Sequence, residues 1–282
     1  MSKVSNNWSV RIPDHWVMPL AGVSLPTIYV ALIVFVFGSA VGSFANVVIY
    51  RVPQGMSIIK PRSRCTTCGH TLSWWENIPI ASYIALRGSC RNCKSKIRIQ
   101  YPIIEALIGV VWVVLALNIG LKAQLPAYLV FATVLIILSA TDLEHRRIPN
   151  KILFPSMALG VVLLAVASAV TRDPHRLAQA GIGALAYGVP MFALGLALPA
   201  AMGFGDIKLA FYLGLHLGWI GLRLVGVGAF LGFFAGAAIG IGLIASGRKS
   251  RKDFIPFGPS MAAGALAAIL AGRALLHVWL GV

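Results

Sequence analysis

Eight stretches of this chain are apolar and long enough to cross a lipid bilayer or nearly so: residues 23–49, 103–121, 125–140, 152–170, 178–202, 207–217, 220–245 and 261–280. A spanning helix needs about 20 apolar residues. Inside hydrocarbon, only helices and closed barrels satisfy every backbone polar group, and runs of this length read as helices. The sequence therefore predicts an all-α polytopic membrane protein with about eight transmembrane helices; seven is the count if the short run 207–217 does not span. Charged residues make up 11% of the chain, against roughly 25% in an ordinary soluble domain, which excludes disorder and argues against a single water-soluble globule. The first run reads as a retained helix, because its polar leader is long, it exceeds a signal-peptide core, and the basic cluster follows it.

Lys and Arg set the orientation. With 51–101 in the cytoplasm, 17 of the 24 basic residues fall on that side, and Lys3, Arg11, Lys122, Arg172, Arg176, Arg223 and Arg273 fall on the other side or at helix ends. That split obeys the positive-inside rule and puts both termini outside. The formal charge of +16 is then a matter of orientation and contact with membrane lipid, with no nucleic-acid partner expected. Three segments follow: an outer leader and first helix over 1–50, a polar insert over 51–101 between the first two membrane helices, and a membrane core over 102–282. There is no internal repeat and no low-complexity linker.

All four cysteines lie in the insert, as Cys65-Thr66-Thr67-Cys68 and Cys90-Arg91-Asn92-Cys93. Two CxxC pairs 21 residues apart match a four-thiolate zinc site, in which two tight knuckles complete one tetrahedron. Two disulfides are the alternative, disfavoured in a reducing compartment. Zinc with four protein ligands has no open position, so its expected role is structural. Arg62, Arg64, Arg91, Lys94 and Lys96 would offset the charge of the thiolates, and His70 is an outlying fifth candidate.

Only eight acidic residues exist, so each can be weighed. Asp14 and Asp173 read as solvated, Asp253 as paired in a basic loop, and Glu76 as part of the insert. Glu144 reads as a surface acid near Arg146 and Arg147. Glu105 follows Tyr101-Pro102 at the start of the second membrane helix and suits a helix N-terminus. Asp142 ends the third run and Asp206 begins the sixth, within Gly203-Phe204-Gly205-Asp206-Ile207-Lys208. An even number of crossings separates them, so both emerge on the cytoplasmic side. Ionisable groups at a membrane margin are costly and point to function, and two carboxylates in one low-dielectric site share a proton, as in aspartic proteases. Gly203 and Gly205 would let a substrate backbone approach Asp206. The plain alternative is that each Asp caps a helix or pairs with Arg146 or Lys208.

The chain resembles the bacterial type IV prepilin peptidases, membrane aspartic proteases of the GxGD type. The resemblance rests on Gly42-Ser43-Phe44-Ala45-Asn46-Val47-Val48-Ile49-Tyr50-Arg51, the two CxxC pairs, Trp75-Glu76-Asn77-Ile78-Pro79, Leu86-Arg87-Gly88, Tyr101-Pro102 with Glu105, Asp142 before Ile148-Pro149, the GxGD motif with Lys208, and Pro256-Phe257-Gly258-Pro259. Ala45 replaces the family's usual Leu, and Lys94 replaces a Gly often found after the last cysteine of the second knuckle. The resemblance implies cleavage of the leader of prepilins and type II secretion pseudopilins at the inner membrane, with Asp142 and Asp206 catalytic. It also implies N-methylation of the new amino terminus by S-adenosylmethionine. Asn46 and Glu105 are candidates for the methyl donor; Gly203, Gly205, Lys208, Phe257, Gly258 and Pro259 are candidates for the substrate. A prepilin carries an apolar segment after its leader, so it would enter laterally from the lipid. Two other readings exist: a peptidase whose zinc insert only recruits substrate, and a proton- or cation-coupled transporter, which gives no reason for the insert.

Overall fold

The computed structural model describes residues 25–197, 203–250 and 256–280. The outer leader 1–24, with Lys3, Arg11 and Asp14, and Asp253 lie outside the described residues. Each of the eight apolar runs is a helix: α1 (Leu25–Arg51), α3 (Gln100–Ile119), α4 (Leu125–His145), α5 (Asn150–Thr171), α6 (His175–Ala197), α7 (Phe204–Ile220), α8 (Leu222–Ala245) and α9 (Gly258–Leu280). The short α2 (Ala81–Ala85) and a single 3-10 turn at Trp75–Asn77 belong to the insert. Among the described residues, six helices have the length and hydropathy of a full span. The 17 residues of α7 cover roughly 26 Å, just under a bilayer core of about 30 Å. Asp206, in its first turn, therefore starts at the hydrocarbon margin.

Lipid is as apolar as leucine, so helix association in a membrane needs close approach and hydrogen bonds. Glycines supply the first. A Cβ on Gly42 would lie 2.7 Å from the Glu105 Cα, and one on Gly38 would lie 2.9 Å from the Gly109 Cα, so α1 and α3 pack backbone to backbone. On α6 and α7, a Cβ on Gly183 would lie 2.5 Å from the Gly214 carbonyl. On α8 and α9, Gly232 meets Gly264 in the same way. Buried hydrogen bonds supply the rest. The Tyr128 hydroxyl donates to the His216 carbonyl at 2.8 Å and ties α4 to α7. The Trp219 ring N–H donates to Ser168 at 2.8 Å, tying α7 to α5, and Trp112 donates to Thr133 at 2.9 Å, tying α3 to α4. Helix α4 lies at the centre of the bundle and is mostly buried, whereas α8 is the least buried of the six helices of spanning length.

Candidate active site and metal centre

The last turn of α4 carries Asp142 and the first turn of α7 carries Asp206. They are buried, with 4% and 6% of their surface exposed. The two carboxyls are within electrostatic reach of each other. Helix α9 completes the site: the Gly258 N–H donates to Asp142 Oδ2 at 3.1 Å. Ile148 fills the space between Gly205 and Gly258, meeting a Cβ placed on either. Neither Asp has a cationic partner among the described residues. Lys208 instead donates to Asn150 Oδ1 at 3.1 Å and lies over the Phe154 ring, clamping α7 to α5. Arg146 takes the left-handed cap of α4. Plain ion pairing thus accounts for neither carboxylate, although Asp206 also suits the positive end of α7.

The glycines do different work from one another. A Cβ on Gly258 would sit 2.8 Å from Asp142 Oδ2, one on Gly205 3.0 Å from Ile148, and one on Gly203 3.4 Å from Asp206 Oδ2. Gly258 gives its space to the carboxylate, Gly205 is used in packing, and Gly203 alone has ordinary clearance beside Asp206. The expected order of damage to activity is therefore Gly258→Ala, then Gly205→Ala, then Gly203→Ala, with the last within about threefold of wild type. Displacing a catalytic carboxylate by about 1 Å costs on the order of 100-fold, the loss expected for Gly258→Ala. Initial rates on one substrate check the ranking. Phe257 packs on Phe233 with ring centres 5.0 Å apart and anchors α9 to α8, while Pro259 lies in the first turn of α9.

In the insert, the four cysteine Sγ atoms lie within 4.8 Å of one another, with Cys65 to Cys93 at 3.8 Å and Cys68 to Cys90 at 4.0 Å. Zn–S bonds of about 2.3 Å in a tetrahedron require sulfurs about 3.8 Å apart, whereas a disulfide requires about 2.05 Å. The thiols therefore fit zinc. Backbone N–H groups of Cys68 and then Thr67, with the Ser95 hydroxyl, hold the Cys65 thiol down to about 5. The Ser95 hydroxyl and then its N–H lower Cys93. At Cys68 the His70 N–H acts downward, yet desolvation and the neighbouring thiols prevail and push the thiol up. A dication at the centre would remove that conflict between thiolates.

The two knuckles bond alike. The Cys65 N–H donates to the His70 carbonyl and the Gly69 N–H to the Cys65 carbonyl; Cys90 pairs with Ser95 and Lys94 with Cys90 in the same pattern. Gly69 has φ of 72° and Lys94 has φ of 59°, so Lys94 sits in a conformation that suits Gly. Lys94→Gly is expected to stabilise the insert by about 0.5 kcal/mol net of glycine's backbone entropy, read as a roughly twofold slower loss of zinc to a chelator. His70 is not a fifth ligand: its Nε2 lies 3.3 Å from Glu76 Oε2. The Ser73 N–H donates to the same oxygen at 2.8 Å, and that bond is the main reason Glu76 is held below the usual carboxylate range.

At the junction of insert and membrane, Asn46 donates from Nδ2 to the Tyr101 carbonyl at 3.0 Å. Glu105 Oε2 accepts the Ile80 N–H at 2.8 Å. Ile80 has φ of 60° and ψ of −51°, a γ-turn that is strained for a β-branched residue, and the Glu105 bond secures it. Nothing in the local sequence announces this turn beyond Pro79. Glu105 is 8% exposed and has no cationic partner among the described residues; a buried carboxylate in that position suits a cationic ligand. Glu144 pairs with Arg98 at 3.7 Å and His145 at 3.9 Å, not with Arg146 or Arg147. The insert thereby reaches the turn that carries Asp142.

Residues 36–119 match the family model described as bacterial peptidase A24 N-terminal domain, and residues 129–246 match the type IV leader peptidase family. Among curated proteins, the chain is 39% identical over 226 residues to a prepilin leader peptidase/N-methyltransferase of Myxococcus xanthus, covering 79% of this chain and 66% of that one. It is 32% identical to a protein of the same name from Bacillus subtilis, covering 88% and 97%. The Aeromonas hydrophila protein of that name is also 32% identical, covering 91% and 95%. No solved structure matches the chain.

Proposed function

The chain belongs to the type IV leader peptidase family, and from that premise we propose that it removes the leader from type IV prepilins and type II secretion pseudopilins and then methylates the new amino terminus. The supporting observation is a pair of buried acids without a cationic partner among the described residues, carried by α4 and α7, with Asp142 held by a backbone donor from α9. In this reading the ionised Asp draws a proton from a water between the two carboxyls. That water attacks the scissile carbonyl, and the protonated partner donates to the developing oxyanion. The proton belongs to the pair. Gly258 fixes the Asp142 carboxyl, Gly203 lies beside Asp206 with room even for a methyl group, and Phe257 and Pro259 hold the turn that presents Gly258. Gly205 and Lys208 act through packing.

The protein is a multi-pass inner-membrane protein, with the insert and the dyad assigned to the cytoplasmic face on the distribution of Lys and Arg. Zinc, held by Cys65, Cys68, Cys90 and Cys93, organises the insert. S-adenosylmethionine, when bound, supplies an electrophilic methyl group; the buried Glu105 carboxylate suits its positive charge, and Asn46 beside it fixes the α1–α3 junction. The test is incubation of the purified, bilayer-embedded protein with a prepilin, with and without the methyl donor. Product mass should fall by the leader and then rise by one methyl. Cleavage without methylation leaves a peptidase alone, and an intact prepilin overturns the reading.

A further inference from the structure

Two grooves open toward lipid. One lies between α6 and α8, has a volume of about 330 Å³, and is walled by Tyr187, Pro190, Met191, Val225, Ala229 and Phe233 among others. The other lies between α5 and α7, measures about 310 Å³, and is walled by apolar side chains with Lys208, whose ammonium is engaged by Asn150. The second suits an acyl chain. The first does not, because its wall carries a buried hydroxyl without a partner and a backbone carbonyl that a proline deprives of its helical donor.

Tyr187 is 3% exposed, and its hydroxyl is buried without a hydrogen-bond partner. Pro190 stands inside α6 and has no N–H, so the carbonyl four residues earlier, on Ala186, loses its helical donor. Ala186 also lines this groove. The wall thus offers one donor and one acceptor, and an acyl chain would answer neither. A peptide brings one N–H and one C=O per residue. Depth agrees as well. Gly188 packs against the Phe211 ring, and Phe211 stands five residues beyond Asp206 on α7, or roughly 8 Å along the helix. Tyr187, next to Gly188, thus lies about one and a half turns below the dyad, while the groove itself reaches the dyad's level, because the lining Leu194 flanks Gly195, which packs on Ile207 beside Asp206.

We infer that the α6–α8 groove seats the apolar segment of the prepilin just after the cleaved bond, with the Tyr187 hydroxyl donating to a backbone carbonyl of that segment and the Ala186 carbonyl accepting a backbone N–H. Tyr187 is thus a substrate-positioning residue. The inference rests on the peptidase reading above and adds the place where the substrate lies.

Tyr187→Phe separates this role from a structural one. It removes a hydroxyl that has no partner in the free protein, so thermal stability should hold or rise, while KM for prepilin cleavage rises about fivefold and kcat stays within twofold. Unchanged KM would overturn the inference. Placement is tested with a photoreactive side chain at Ala229, and as a control at Val161 in the second groove, both in an Asp206→Asn background with prepilin in liposomes. Cross-links from position 229 to the apolar segment, with lipid adducts from 161, are expected; lipid adducts alone from 229 would overturn the inference. Wild-type protein run in parallel keeps the two readings apart: cleavage by wild type with failed cross-links removes only the groove, and no cleavage removes the peptidase itself.

Discussion

Asp142→Asn and Asp206→Asn are each expected to lower leader cleavage by about 10³-fold or more, with the protein still inserted and folded. Asn keeps the shape of Asp, and at 142 its carbonyl oxygen can still accept the Gly258 N–H. Folding is spared because neither carboxyl ties helices together through an ion pair among the described residues. What disappears is the ability of the pair to hold one proton and lack another, and either substitution removes it. The double variant should therefore be no worse than either single one, since residues acting as a unit are strongly non-additive. Cleavage assays in membranes, with insertion judged by proteolytic topology, read both results. A single variant that retains cleavage would exclude that residue from the dyad.

Loss of zinc is the second large effect. From residue 52 to 101 only Glu76 and Cys90 are buried, so the insert has no apolar core with which to fold. Structural zinc in small domains contributes an apparent 10–16 kcal/mol, or about that order, and here a bound metal would supply nearly all of the insert's order. Chelation, or replacement of the buried Cys90 by Ser, should make 52–99 sensitive to protease and abolish methyl transfer. Leader cleavage should fall by less than about tenfold, because the dyad is carried by α4 and α7 and bonded from α9. The Arg98–Glu144 contact, largely exposed on the Arg side, contributes about 0–1 kcal/mol and does not make the peptidase depend on the insert. A protease-resistant insert after complete zinc removal would contradict this division.

Helix number and the cysteine cluster were legible in the sequence for simple reasons: apolar runs of spanning length admit one backbone solution in lipid, and CxxC spacing fixes a knuckle. In the sequence, parity of crossings is what puts Asp142 and Asp206 on one face, and the structure buries both at helix ends that α9 and Ile148 adjoin. What the sequence did not reveal are contacts set by which helix packs on which. Gly205 looked like room for substrate, yet Ile148 occupies that space. Lys208, two residues from Asp206, points across to Asn150 because positions two apart on a helix face different neighbours. The Gly258 bond to Asp142 spans 116 residues, and no local pattern announces it. Glu144 meets Arg98 from the insert, along with His145, instead of Arg146 or Arg147, for the same reason.

A water-activating pair that shares one hydrogen ion makes a distinctive demand on kinetics: activity needs one carboxyl with its proton and one without. The direct measurement is kcat/KM for prepilin cleavage across pH in liposomes. A bell is expected, with one protonation abolishing activity on the acid limb and one deprotonation abolishing it on the alkaline limb. A rate that climbs to a plateau with rising pH, as for a single general base, would contradict the dyad.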